Sequence, residues 1–276
     1  SEIPGVGVFV DFGGGNTVLF EGRTLAEMNN VDVQFETSSA SPVTGTNGDD
    51  FLPGTADDDL ITTGDSPNGD TIVGSAGDDT IDFTGITSDP GGFVVVDYSN
   101  VGATIDVQVD GGANTGSVVK GGLGTDTFLN VELPLLAGWT SGGLSILGTS
   151  GADSFDVSLA GEQWMSFRPG DGLDTILVGG DSSLVRLDMS DGNGIEVDLS
   201  LATGQILDDG FGNTETIGGS AAIWEVFGSS GNDTFTGSTE GESYRYLGGN
   251  NDLDGGLGFD RLRYDTFTVA SVSIDA

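Results

Sequence analysis

The sequence predicts an all-β protein whose short parallel strands stack into a solenoid, with a small β cap segment at the N-terminus. Three observations carry this. A nine-residue motif rich in Gly and Asp recurs seven times. Its acidic residue keeps a step near nine where the rest of the motif has decayed. The stretches between motif blocks alternate apolar and polar with period two, the pattern of half-buried strands.

The motif comes first. Gly74-Ser75-Ala76-Gly77-Asp78-Asp79-Thr80-Ile81-Asp82 is one copy, and residues 45–53 (GTNGDDFLP) are another. Others begin at Gly121 (GGLGTDTFL), Gly148 (GTSGADSFD), Gly228 (GSSGNDTFT) and Gly255 (GGLGFDRLR), with a variant from Pro169 (PGDGLDTIL). All read G-small-x-G-x-D-x-U-x, where U is large and apolar. One match would be weak; seven in one chain are not chance. The acid falls at Asp50, Asp59, Asp70 and Asp79, then at Asp153, Glu162 and Asp174, then at Asp233, Glu242, Asn251 and Asp260. Asp126 lies 27 residues, three periods, before Asp153. A longer repeat overlies this one. Val96-Asp97-Tyr98-Ser99 returns as Leu187-Asp188-Met189-Ser190 and again as Tyr264-Asp265-Thr266. The third copy stops at Ala276, so the natural protein is expected to continue past it.

Each nonapeptide divides in two. Its first six residues are Gly, small or acidic, suited to tight turns and positive φ. Its last three form a short strand with one large apolar residue pointing inward. Such a unit cannot bury that residue alone, but stacked copies can. Two nonapeptides make one coil of 18 residues. Equivalent turns then lie about 4.8 Å apart, with their carboxylates and carbonyls facing one another. That array repels itself unless a cation sits between turns, and Ca²⁺ prefers such oxygen cages.

The remaining segments follow. Val8-Phe9-Val10 and Val18-Leu19-Phe20 flank Gly13-Gly14-Gly15, which reads as strand–turn–strand over an N-terminal segment 1–44; a helical turn is expected only near Thr24–Asn29. The solenoid occupies 45–276, with motif blocks at 45–82, 121–177 and 228–263. Between them, Ile105, Val107 and Val109 share one face, as do Val185, Leu187 and Met189, and Ile195, Val197 and Leu199. These are expected to continue the same sheets. The acids Asp106, Asp110 and Asp198 lie outside the repeat phase and read as solvated strand faces.

Composition narrows the chemistry. Acids number 44 against seven Lys and Arg, a net charge of −37, with no His and no Cys. This removes His-dependent triads, thiol nucleophiles, disulfides and Cys or His zinc sites. The acidic excess argues against nucleic acid and anionic membranes as partners. No apolar run is long enough for a transmembrane helix, so membrane insertion is not expected. No acid pair stands apart from the repeat, so the chain reads as a non-enzyme. Lys120, the sole lysine, reads as solvated. Trp139, Trp164 and Trp224 read as core or partly exposed residues, with a sugar-stacking platform as the alternative.

The motif resembles the RTX, or haemolysin-type calcium-binding, repeat of secreted bacterial proteins, over most of residues 45–276. The resemblance implies a parallel β-roll, several bound Ca²⁺ ions, an extracellular or cell-surface location, and export by type I secretion machinery. It also implies a ligand set: a carboxylate from the motif Asp, completed by carbonyls of the turn's Gly and variable positions. Carried over, this assigns Gly45, Asn47 and Asp50; Gly54, Ala56 and Asp59; Asp70; and Gly74, Ala76 and Asp79. It further assigns Asp126, Asp153 and Asp174, then Gly228, Ser230 and Asp233, Glu242, Asn251, and Gly255, Leu257 and Asp260. The turn at Gly45 should share ions with Gly64–Asp70, and that at Gly54 with Gly74. Asp233 should pair with Asn251, and Glu242 with Asp260. Glu242, Asn251 and Asp57 depart from the pattern and weaken their sites, and the turns at Gly121 and Gly148 lack evident partners one coil away.

The expected function is calcium binding coupled to folding after secretion, within a larger extracellular protein. At free calcium roughly 20 times Kd, each site adds about 1.8 kcal/mol, so six would rival the stability of a whole domain. The alternatives are an accessory domain of a secreted hydrolase, lyase or epimerase, and an adhesin segment binding extracellular polysaccharide or a cell surface.

Overall fold

The computed structural model describes the strands within residues 2–21, and then residues 42–88, 91–134, 142–160, 164–179, 184–219 and 223–264. The chain divides into two compact units, Ser1–Phe35 and Glu36–Ala276. In the first, Glu2–Ile3, Gly7–Gly13 and Asn16–Glu21 form an antiparallel sheet. Val8 pairs with Phe20 and Val10 with Val18, the hairpin expected from those two apolar runs. The helical turn expected near Thr24–Asn29 lies outside the described residues.

The second unit is almost entirely strands, most of them parallel, and among the described residues it holds no α-helix. One 3₁₀ turn among the described residues, Phe83–Gly85, is capped by the Asp82 carboxylate. Successive short strands alternate between two open sheets. One runs from Val43–Thr44 through Leu60–Thr62, Thr80–Asp82, Gly124–Leu129, Thr115–Lys120, Ile105–Asp110, Ser154–Leu159 and Thr175–Leu177 to Thr216–Gly218. The other runs from Phe51–Pro53 through Thr71–Val73, Phe93–Asp97, Gly143–Leu147, Trp164–Arg168, Leu184–Asp188, Ile223–Phe227 and Ser243–Arg245 to Arg261–Arg263.

Register explains the core. In the second of these sheets Leu52, Ile72, Val96, Ile146, Phe167, Leu187, Val226, Tyr244 and Leu262 stand in one column, each paired with the next. All but Leu262 are buried. This column contains the apolar residue of each short strand, and burying each contributes roughly 1.5–3 kcal/mol. The facing sheet meets it through pairs such as Phe155 and Phe167, whose rings stack at 5.6 Å.

Two antiparallel segments, one of three strands and one of two, interrupt the parallel order. Ile105–Asp110, Thr115–Lys120 and Gly124–Leu129 run antiparallel within the first large sheet. Phe128 there lies opposite Gly116, where a Cβ would approach its ring to 3.1 Å. Glu196–Asp198 and Ile206–Asp208 pair antiparallel and open a separate sheet with Thr234–Thr236 and Asp252–Asp254. Val197 therefore does not continue an earlier sheet, as its alternation suggested. It begins a new one, stacked on Phe235, once the first large sheet has ended at Thr216–Gly218.

Coil length also departs from a uniform 18. The step between stacked acids is 18 residues in the last block and 20 in the first, where the turn at Gly64–Asp70 is two residues longer. The turns still stack because the extra residues bulge within the turn and leave the strand register intact.

Candidate functional site

Most motif acids lie inside the molecule, although Asp50 is half-buried and Asp260 is exposed. Asp59, Asp70, Asp79, Asp126, Asp153, Asp174, Asp233 and Glu242 are all buried. Several turns close on their own acid. Thr55 N–H donates to Oδ2 of Asp59 at 2.6 Å, Thr149 N–H to Oδ2 of Asp153 at 2.6 Å, and Ser229 N–H to Oδ2 of Asp233 at 2.9 Å. Thr46 with Asp50, and Ser238 with Glu242, repeat the arrangement. The hydroxyl at the second motif position adds a bond to the same carboxylate, as Ser75 does to Asp79 at 3.0 Å. Sequence reading took this position as merely small. The signal was present: Thr46, Thr55, Ser75, Thr149, Ser229 and Ser238 all carry a hydroxyl there.

The other carboxylate oxygen joins one coil to the next. Asp50 N–H donates to Oδ1 of Asp70 at 3.1 Å, and Asp59 N–H to Oδ1 of Asp79 at 2.9 Å. Asp233 N–H reaches Oδ1 of Asn251 at 3.0 Å, and Glu242 N–H reaches Oδ1 of Asp260 at 3.1 Å. These are the turn pairs that the resemblance implied. The structure also supplies partners for the two turns that seemed isolated. Asp79 N–H donates to Oδ1 of Asp126 at 3.1 Å, and Asp153 N–H to Oδ1 of Asp174 at 2.7 Å. The first was missed because 47 residues, including antiparallel strands, separate Asp79 from Asp126; the second because Asp174 lies 21 residues after Asp153 and not 18.

A second ladder runs beside the first, at the motif position before the acid. Asp58 accepts Asp78 N–H at 2.8 Å, Asp78 accepts Thr125 N–H at 2.7 Å, and Asn232 accepts Asn250 N–H at 2.9 Å. Asp49 accepts the Ser66 hydroxyl and both nitrogens of Asn68, and these hydrogen bonds lower its pKa. The remaining assigned residues shape the turns. A Cβ at Gly45 would come within 2.6 Å of the Gly64 nitrogen, and one at Gly54 within 2.2 Å of the Ser75 hydroxyl. Gly74, Gly228 and Gly255 are as confined, by Tyr98, Tyr244 and Asp260. Asn47, Ala56, Ser230 and Leu257 are exposed and Ala76 is half-buried.

Charge is therefore arranged differently from a face-to-face array of carboxylates. Backbone N–H groups intervene between successive acids, and among the described residues no three acids gather at metal-ligand spacing. Burial still strains the arrangement. It raises Asp70 and Asp153, outweighing their N–H donors. Burial and neighbouring carboxylates push Asp174 to about 7 and Glu215 to about 9. Among the described residues three buried carboxylate oxygens have no hydrogen-bond partner: Oδ1 of Asp59, Oδ2 of Asp174 and Oε2 of Glu215. Asp174 and Glu215 are adjacent, since Asp174 N–H donates to Oε1 of Glu215 at 3.5 Å. Hard, buried, unpartnered oxygens in stacked turns fit a calcium ion's donor preference.

Lys120 corrects the reading of a solvated lysine. It is fully buried, and its ammonium contacts Oδ2 of Asp79 at 3.2 Å and Oδ1 of Asp126. Trp164 and Trp224 are half-buried and meet edge to face at 4.7 Å, while Trp139 lies outside the described residues. No helix among the described residues is long and apolar enough to cross a membrane. The chain matches no protein-family model, and no curated protein matches it.

Proposed function

We propose that residues 45–276 form a calcium-binding β-roll of the RTX kind, whose folding is coupled to Ca²⁺ after secretion. The observation that carries this is the set of unpartnered buried carboxylate oxygens at Asp59, Asp174 and Glu215, within turns stacked by motif acids. An unpaired buried carboxylate is costly, and the raised Asp174 and Glu215 express that cost. A divalent cation among the turn oxygens removes it. In this reading each motif acid supplies one carboxylate and turn carbonyls complete the shell, as the resemblance implies. The chain's own contribution is to hold those oxygens in register, through the N–H staples between coils, and to shield them from water.

The reading makes the chain a binding and folding module with no catalytic step, placed outside the cell where calcium is plentiful. Isothermal titration with Ca²⁺ after exhaustive chelation, paired with circular dichroism, tests it. The expected result is saturable binding of several ions with a gain of β signal. A chelated protein with full β structure and no calcium uptake would overturn it.

A further inference from the structure

The chain's one lysine sits at one step of the acid ladder, between Asp79 and Asp126. Every oxygen of those two carboxylates is occupied. Asp79 receives Asp59 N–H on Oδ1, and the Ser75 hydroxyl and Lys120 ammonium on Oδ2. Asp126 receives Asp79 N–H and Lys120 on Oδ1, and the Tyr98 hydroxyl on Oδ2 at 2.7 Å. Lys120, Asp126 and Tyr98 are fully buried, and Asp79 nearly so. Elsewhere in the ladder Oδ1 of Asp59 and Oδ2 of Asp174 stay unpartnered, and the oxygens of Asp153 and Asp233 are filled by N–H and hydroxyl groups, with no ammonium among them.

The topology explains why a side chain comes to lie there. Thr115–Lys120 runs antiparallel beside Gly124–Leu129. A parallel strand would bring a motif turn, with its carbonyls and acid, next to Asp126. A reversed strand brings its C-terminal end there instead. Val118 and Lys120 point inward on alternate positions, and Lys120 is the one that reaches the carboxylates. The hairpin thus removes a calcium-type turn and supplies a positive charge in the same place.

We infer that the Lys120 ammonium is a tethered cation that takes the place of a metal ion at the Asp79–Asp126 step, so that this part of the stack folds without calcium. The inference rests on the calcium reading above and divides the molecule by it. The strands Thr80–Asp82, Thr115–Lys120 and Gly124–Leu129 form a nucleus available in low calcium. The strands Thr175–Leu177 and Thr216–Gly218, beside the unpartnered oxygens of Asp174 and Glu215, carry no lysine and wait for the ion.

Hydrogen exchange read by mass spectrometry, on the whole chain in chelator and in millimolar calcium, tests this. Protection of 80–82 and 115–129 should be the same in both buffers. Protection of 175–177 and 216–218 should rise about 20-fold or more with calcium, the factor expected for one site at roughly 20 times Kd. In the Lys120→Met variant, protection of 115–129 in chelator should fall roughly 100-fold or more, because two buried carboxylates lose their counter-charge. Calcium should then restore it. If the variant does not fold in chelator, refolding on calcium addition supports the inference, and failure to refold in calcium overturns it. If 80–129 and the pair 175–177 and 216–218 respond to calcium alike in the unmodified chain, the Lys120 inference fails and the calcium reading stands. If no segment responds, both fail.

Discussion

The Tyr244 hydroxyl donates to Oδ2 of Asp233 at 2.6 Å, so a strand of one sheet closes the turn that feeds another. The same hydroxyl accepts from the Asn251 side chain at 3.2 Å, tying three positions of the last block together. Its ring packs on Phe235 at 5.3 Å. Tyr244→Phe keeps the packing and removes the bond to a buried carboxylate. The expected loss is about 1.5–3 kcal/mol, the range for hydrogen bonds to charged groups. Urea unfolding checks it, and an unchanged midpoint would show that Asp233 does not depend on the phenol.

Gly228 lies against that hydroxyl, and a Cβ there would stand 2.0 Å from it. Gly102 offers a contrast, with φ of 74° and nothing within 4 Å of its Cβ position. Gly102→Ala should cost about 1–2 kcal/mol from left-handed backbone alone. Gly228→Ala must displace Tyr244 or the turn, and should cost more. Thermal melts of the two variants compare them; equal losses would mean that the turn yields freely.

Glu225 is fully buried and bridges Arg186 at 2.7 Å and Arg263 at 2.5 Å, joining strands three apart in one sheet. The Arg186 guanidinium also lies over Phe93 and Phe227, at 4.5 and 4.3 Å from the ring centres. Glu225→Ala leaves two arginines facing each other without their carboxylate. Destabilisation of about 3–5 kcal/mol is expected for breaking a buried pair. Chemical denaturation measures it, and a loss below about 1 kcal/mol would place the bridge with surface pairs.

Asp174 and Glu215 set a pH dependence for the calcium-free protein. Their folded values, about 7 and about 9, lie above the ordinary 3.8 and 4.5. Between those limits the folded chain holds more protons than the unfolded chain, so stability falls as pH rises. Their contribution is whole below about pH 4 and is lost as pH passes through 7 and then 9. Urea midpoints in chelator should therefore drop across this window, and Glu215→Gln should flatten the slope. A midpoint that climbs with pH would contradict the assignment.

Much of this molecule is written locally. A nonapeptide with one large apolar residue makes a turn and a short strand wherever it stands, so Ile72, Ile81, Phe155 and Phe235 could be read as core from spacing alone. The pairing of Asp50 with Asp70 and of Asp233 with Asn251 was implied by the family resemblance of the motif. Even the hydroxyl at the second motif position was legible, because its bond spans only four residues.

What the chain alone did not decide depends on strand direction. Period-two alternation marks which residues face inward but not whether a strand runs with its neighbour or against it. Only the tertiary structure shows that Thr115–Lys120 is reversed, that Val197 opens a new sheet, and that Asp126 rests on Asp79 across 47 residues. That reversal turns Lys120 from an expected surface charge into the buried partner of two repeat acids. Composition determined that the chain would be an acidic stack needing positive charge. Strand direction, set by packing between distant segments, decided where the protein provides that charge itself.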